Sequence, residues 1–196
     1  MNEGKGGFFM NANKNIAVKS NIQIFGSTKV MVISALLVAM SIVLGKFLKI
    51  SIGDSIRISF ENLPVLMSGI FFGPVVGAAV AACADLIGCL LYGYAINPII
   101  TLGAVSIGAI SGLIFQAFKK DSNLIKKLCF SIFPAHIVGS MIIKSIGLFK
   151  FYGTPMETLL LRIPIYICTA IAETAVIFLL MNNKAFKAEI EKTWQV

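Results

Sequence analysis

The chain has 196 residues, 57% hydrophobic and 13% charged, with a net charge of +8 and a mean hydropathy of +0.88. A soluble domain carries about a quarter charged residues, so these values exclude an ordinary soluble domain and describe a single-domain integral membrane protein. Positive charge of this size reflects orientation in the membrane rather than nucleic-acid binding, and no lysine–arginine run with interleaved aromatics marks a nucleic-acid surface.

Residues 1–28 read as a polar cytoplasmic tail, without the compact apolar core and small-residue cleavage site of a signal peptide. A spanning helix needs about 20 predominantly apolar residues. Six stretches qualify: 30–48, 58–72, 74–93, 95–118, 125–148 and 157–181. The second is short and polar at its start, which predicts a tilted or partly spanning segment. Pro74 separates the second stretch from the third, and Pro98 suits the first turn of the fourth. The expected fold is an all-α membrane protein, a compact bundle of six transmembrane helices with both termini cytoplasmic. Its substrate-handling domain runs over 29–182, and 183–196 forms a second cytoplasmic tail.

Charge supports that orientation. Lys5, Lys14, Lys19 and Lys29 face only Glu3 at the amino-terminal end, and Lys119, Lys120, Lys126 and Lys127 face only Asp121 after the fourth stretch. The opposite side still carries Lys46, Lys49, Arg57, Lys144, Lys150 and Arg162 against Asp54, Glu61 and Glu157. Snorkelling at helix ends explains some of these cations; others are placed to meet an anionic ligand.

Small residues recur four apart at Gly69, Gly73, Gly77 and Ala81, and at Ala104, Gly108 and Gly112. The third and fourth stretches should use them to pack closely. Ala35 and Ala39 share the spacing in the first stretch, where they suit contact with another subunit. Cys83, Cys89, Cys129 and Cys168 form no CxxC pair and read as small core hydrophobes rather than disulfide or metal ligands.

Arg57, Asp85, His136, Arg162 and Glu173 lie within or at the mouths of apolar stretches. An ionised group at the bilayer centre costs about 2.5–3.5 kcal/mol on insertion scales, so each needs a partner or a cavity. A hydrolase would need Ser111, in Gly108-Ala-Ile-Ser111-Gly112, to meet His136. That spacing matches a Gly-x-Ser-Gly motif poorly, and serine in a glycine-rich span is usually packing. A single histidine argues against a histidine-based metal site. No P-loop is present, so ATP hydrolysis would belong to partners. Binding is better supported. Arg57-Ile-Ser-Phe60-Glu61-Asn62-Leu63-Pro64 gathers a cation, a ring, a carboxylate and an amide within one or two turns. Tyr92, Tyr94, Phe149, Phe151, Tyr152 and Tyr166 gather at the expected outer ends of the third, fifth and sixth stretches. They are an interfacial belt, or the walls for a flat aromatic ligand whose anionic ends meet arginine or lysine.

The stretch 57–64, the following Phe71-Phe72-Gly73-Pro74-Val75-Val76-Gly77-Ala78 and Ala84-Asp85-Leu86-Ile87-Gly88 resemble the substrate-binding S components of energy-coupling factor (ECF) vitamin transporters, most of all the folate-specific ones. The resemblance covers essentially the whole chain and is most specific over 57–88. It implies six helices, no catalysis and no cofactor, and a multi-pass protein of the cell membrane. Such a protein captures a vitamin outside and docks on a transmembrane coupling subunit with two ATPases that use the ATP. Ala35-x-x-x-Ala39 matches the family's small-residue contact for the coupling subunit.

Folate presents a flat pterin, an aminobenzoyl ring and a glutamate tail with two carboxylates. Asp85 or Asn97 suits the pterin edge, and Phe60, Tyr92 and Tyr152 suit the rings. Arg57, Lys144 and Arg162 suit the carboxylates, and Glu61 and His136 complete the candidate set. Asp85 has a structural alternative, pairing with an arginine or with His136, and Glu173 reads as structural or protonated. Pantothenate, riboflavin and thiamine are alternative vitamins, and a stand-alone proton-coupled transporter using Asp85 and Glu173 is the alternative class.

Overall fold

The computed structural model describes residues 27–46, 50–52, 56–118, 123–184 and 186, with backbone alone at 46, 50–52 and 56–58. Most of both expected tails, Lys49, Asp54 and the 119–122 loop with Lys119, Lys120 and Asp121 lie outside the described residues, as does the side chain of Arg57.

The first long helix, α1, spans Thr28–Lys46. A hairpin follows: β1 (Ile50–Ile52) pairs antiparallel with β2 (Ile56–Ile58), Ser51 opposite Arg57. Then come α2 (Asn62–Phe72), α3 (Pro74–Tyr92), α4 (Pro98–Ala117), α5 (Leu124–Tyr152) and α6 (Met156–Asn182). Helices α1, α3, α4, α5 and α6 are long and apolar enough to cross a membrane.

The second expected span is corrected. Residues 56–58 are strand, and α2 has 11 residues, a rise of about 16 Å against a hydrocarbon core of about 30 Å. It is buried at ten positions. A helix apolar all round is an interior element, and α2 accordingly lies inside the bundle rather than across the membrane by itself. Gly73, at φ 95°, makes the turn into α3, where Pro74 takes the first helical position.

The core joins Leu66, Ile107, Leu128, Ile132 and Ile177, all at most 2% exposed. Large apolar side chains such as Leu36, Leu90, Leu102, Phe130 and Leu179 point outward, as a lipid-facing surface requires. The cysteines are also corrected: Cys83 and Cys168 are exposed, and Cys89 and Cys129 only half-buried. Cys83 and Cys168 belong to the apolar outer faces, where a thiol is as acceptable as in a core, and Cys89 lines a cavity inside the bundle.

Helices α2, α3 and α4 meet through glycine. A Cβ on Gly108 would stand 2.2 Å from the Gly77 carbonyl oxygen, and one on Gly69 would stand 2.4 Å from the Gly108 oxygen. Only bare backbone permits this approach. The Ala35–Ala39 face of α1 is exposed.

Helix α5 changes winding along its length. It is α-helical over Leu124–His136, π-helical over Ile137–Ile143 and α-helical again over Lys144–Tyr152. Pro134 lies just before the change and removes one backbone donor.

Candidate functional site

Toward the hairpin end of the bundle, a cavity of ≈ 60 Å³ lies between α1, the start of α2, α3, α4 and α5. Ala81, Ala84, Asp85 and Gly88 line it from α3. Their i, i+3, i+4, i+7 spacing is one face of a helix, and three of the four are small enough to leave room. Ser41 and Gly45 of α1, Glu61 and Asn62, Ala104 of α4 and Lys144 of α5 complete the polar and small parts of the wall.

Two sets of charges define its chemistry. The Lys144 ammonium donates to Glu61 Oε1 at 3.4 Å, longer than the usual 2.9–3.0 Å. Among the described residues Glu61 is its sole hydrogen-bond partner, although an ammonium has three donors. The Lys144 side chain is 10% exposed and that of Glu61 41%, so the cation is the more buried of the two. Asp85 is held by the Thr101 hydroxyl, which donates to Oδ2 at 2.6 Å and lies 3.1 Å from the Asn97 carbonyl. Asn97 caps α4, its Oδ1 accepting from the Ile99 N–H at 3.0 Å.

Glu61 is tied to α1 at two points. Ser41 donates to its carbonyl at 2.7 Å, and a Cβ on Gly45 would stand 2.9 Å from both Glu61 Cβ and Oε2. The residue therefore bridges α1, α2 and α5 across the cavity.

A second polar group sits outside the cavity lining, between α5 and α6. His136 Nε2 lies 2.6 Å from Glu173 Oε2, and His136 Nδ1 lies 3.3 Å from the Ser140 hydroxyl. Both His136 and Glu173 are almost wholly buried. Glu173 Oε1 has no hydrogen-bond partner among the described residues. The Tyr166 ring stacks at a tilt 6.2 Å from His136, and Arg162 donates to the Tyr166 hydroxyl.

The structure thus brings together Glu61, Asp85 and Lys144 of the candidate residues, with Asn97 behind Asp85. Among the candidates whose side chains are described, the others stand elsewhere. Phe60 is half-buried between β2 and α2, outside the lining. Tyr92 stacks on Tyr94 with centroids 6.4 Å apart, both partly exposed, and Tyr152 is exposed at the end of α5. Arg162 faces Tyr166; of Arg57 only the backbone is described, in β2 opposite Ser51. Asp85 pairs with Thr101 rather than with His136, whose partner is Glu173. Ser111 donates to the Gly108 carbonyl, so the serine–histidine pairing a hydrolase requires is not formed.

Sequence reasoning missed Ser41, Thr101 and the two glycines Gly45 and Gly103. The available signal was weak: a hydroxyl inside an apolar span, which most often bonds back to its own helix.

Residues 29–186 match the family model for the substrate-specific component of ECF transporters. The chain belongs to that family. It is therefore a multi-pass cell-membrane protein and the substrate-specific part of a transporter. The folate transporter FolT of Clostridium novyi (strain NT) is 37% identical over 87 residues, which are 44% of this chain and 50% of that protein. In that match the chain spans half the length of the relative. Among solved structures, FolT bound with folic acid superposes with a TM-score of 0.66 at 24% identity, covering 80% of this chain and 94% of that one. The S component of a bacterial ECF transporter superposes at 0.59 and 27% identity, covering 78% and 92%.

Proposed function

We propose that this S component captures a folate-class vitamin at the hairpin end of the bundle, facing the outside, with both termini in the cytoplasm. The observation that carries the reading is Lys144. A buried ammonium with one long bond to a half-exposed carboxylate is poised to take an anionic ligand group in addition or in exchange. Folate supplies two such carboxylates, and its pterin edge supplies donors for Asp85, whose carboxylate Thr101 orients. Arg57, in the hairpin strand β2, is a further candidate for the tail carboxylates. The likeness to the folate transporter of Clostridium novyi supports the choice of vitamin.

Delivery inward depends on docking to a transmembrane coupling subunit with two ATPases. The exposed Ala35–Ala39 face of α1 supports its role as the docking contact.

Pantothenate is the second reading. It too is a carboxylate, and among the described residues the cavity lining carries no aromatic side chain. Calorimetry on the purified chain with folate and with pantothenate decides between them. Folate bound one-to-one, and weakened at least about tenfold (1.4 kcal/mol) by Lys144→Ala, supports the first reading. Retention of pantothenate alone moves the substrate assignment. A proton-coupled carrier would instead transport in liposomes without partners, which an S component does not do.

A further inference from the structure

Lys144 begins a new α-helical segment only because of the π turn before it. Its backbone N–H donates to the Gly139 carbonyl, five residues back, the bond that defines π winding. Gly103 of α4 lies flat against that bond. A Cβ on Gly103 would stand 2.6 Å from Lys144 Cγ, 2.9 Å from the Gly139 oxygen and 3.2 Å from the Lys144 nitrogen. A Cβ on Gly139 would in turn stand 2.6 Å from the Gly103 oxygen and 2.4 Å from Ile107 Cγ1. The two glycines face each other, and the Lys144 stem leaves α5 across the bare Cα of Gly103.

The register matters because each residue of an α-helix turns about 100°. Without the widened turn, the side chain at 144 would leave α5 in another direction. With a methyl on Gly103, the stem would meet it before reaching the cavity. Ala104, the next residue of α4, already lines that cavity, so the stem enters it at the point where α4 is smallest.

We propose that Gly103, together with the π turn it packs against, is the positioning element that aims Lys144 into the cavity and so sets the preference for ligands bearing a carboxylate. This rests on the reading that Lys144 meets the ligand's carboxylate. Gly103 touches no ligand; it acts through the path it leaves open.

The test is calorimetry on the full chain with folate and with folate whose two carboxylates are capped as amides. Gly103→Ala should lower folate affinity at least about tenfold and change affinity for the diamide less than about twofold. In the Lys144→Ala background the same substitution should change neither, because coupling vanishes once the partner is gone. Equal weakening of both ligands, or a further loss in the Lys144→Ala background, makes Gly103 a packing residue and overturns the proposal. No effect of Lys144→Ala on folate overturns the carboxylate assignment itself, a separable failure. A chain that takes pantothenate instead is tested with pantothenate and its amide. Should Gly103→Ala not fold, the exchange Lys144→Ser with Ser145→Lys carries the test, since it moves the ammonium about 100° around α5 and leaves the π turn in place. The exchange should cost folate affinity and spare the diamide; retained folate affinity would overturn the proposal.

Discussion

Glu61 and Lys144 meet 3.4 Å apart across the cavity, the carboxylate about 41% exposed and the ammonium side chain about 10%. The pair is asymmetric, and so are the consequences of breaking it. Glu61→Ala strands a cation in a poorly hydrated place, whereas Lys144→Ala leaves a carboxylate that water reaches. Stranding a buried charge costs up to about 3–5 kcal/mol, and losing an exposed partner costs about 0–1 kcal/mol. Glu61→Ala should therefore lower the midpoint of thermal unfolding in detergent by clearly more than Lys144→Ala. Equal midpoints would show that water reaches both groups alike.

His136 and Glu173 should behave as a structural pair. Truncating His136 to Ala leaves Glu173 buried without either carboxylate oxygen bonded, at a cost of about 3–5 kcal/mol. The double change His136→Leu with Glu173→Met should recover most of that, since apolar replacements of buried pairs are often neutral. Thermal unfolding of the three proteins measures it. Lost ligand affinity in a double variant of unchanged midpoint would instead make the pair part of the binding site.

Thr101→Val keeps the shape of the side chain and removes the donor to Asp85. A hydrogen bond to a charged group contributes about 1.5–3 kcal/mol, so the variant should be destabilised by that order in a denaturation series. Its ligand affinity should fall as well, because Asp85 is no longer held toward the cavity wall. Unchanged affinity would remove Asp85 from the ligand contacts.

Ala35→Leu with Ala39→Leu enlarges an exposed face of α1 and leaves the cavity untouched. Vitamin binding by the isolated chain should be within about twofold of the parent, whereas uptake by cells carrying the coupling subunit and ATPases should be largely lost, because small faces are what let helices approach. Normal uptake would move the docking face elsewhere.

The long helices were legible because lipid demands about 20 apolar residues in a row, and α3, α4 and α6 begin and end within three residues of the expected stretches. The hairpin was not. Ile50-Ser-Ile and Ile56-Arg-Ile are too short for alternation to separate a strand from the end of a span. Asp85, His136 and Glu173 stood out as polar residues in apolar surroundings, but their pairing depends on how α3, α5 and α6 cross, which no local pattern carries. The π turn left only Pro134 and Gly139 as traces. Gly103 resembled any packing glycine until Lys144 was seen beside it.

The glycine contacts of α2, α3 and α4 have a mechanical consequence. The cavity holds about 60 Å³, whereas pockets for molecules of vitamin size hold about 300–1,000 Å³. A wall must yield on loading. Backbones already touching at Gly69, Gly77 and Gly108 have no compressible side chains between them, and close-packed interiors transmit strain rather than absorb it. That half of the bundle acts as the fixed jaw. On the proposed roles, the side left to move is that of α1, which meets the cavity through Ser41, Gly45 and the Glu61 bridge, and which also carries the exposed alanine face. On those roles, loading with vitamin and the shape offered to a docking partner would be coupled through one helix.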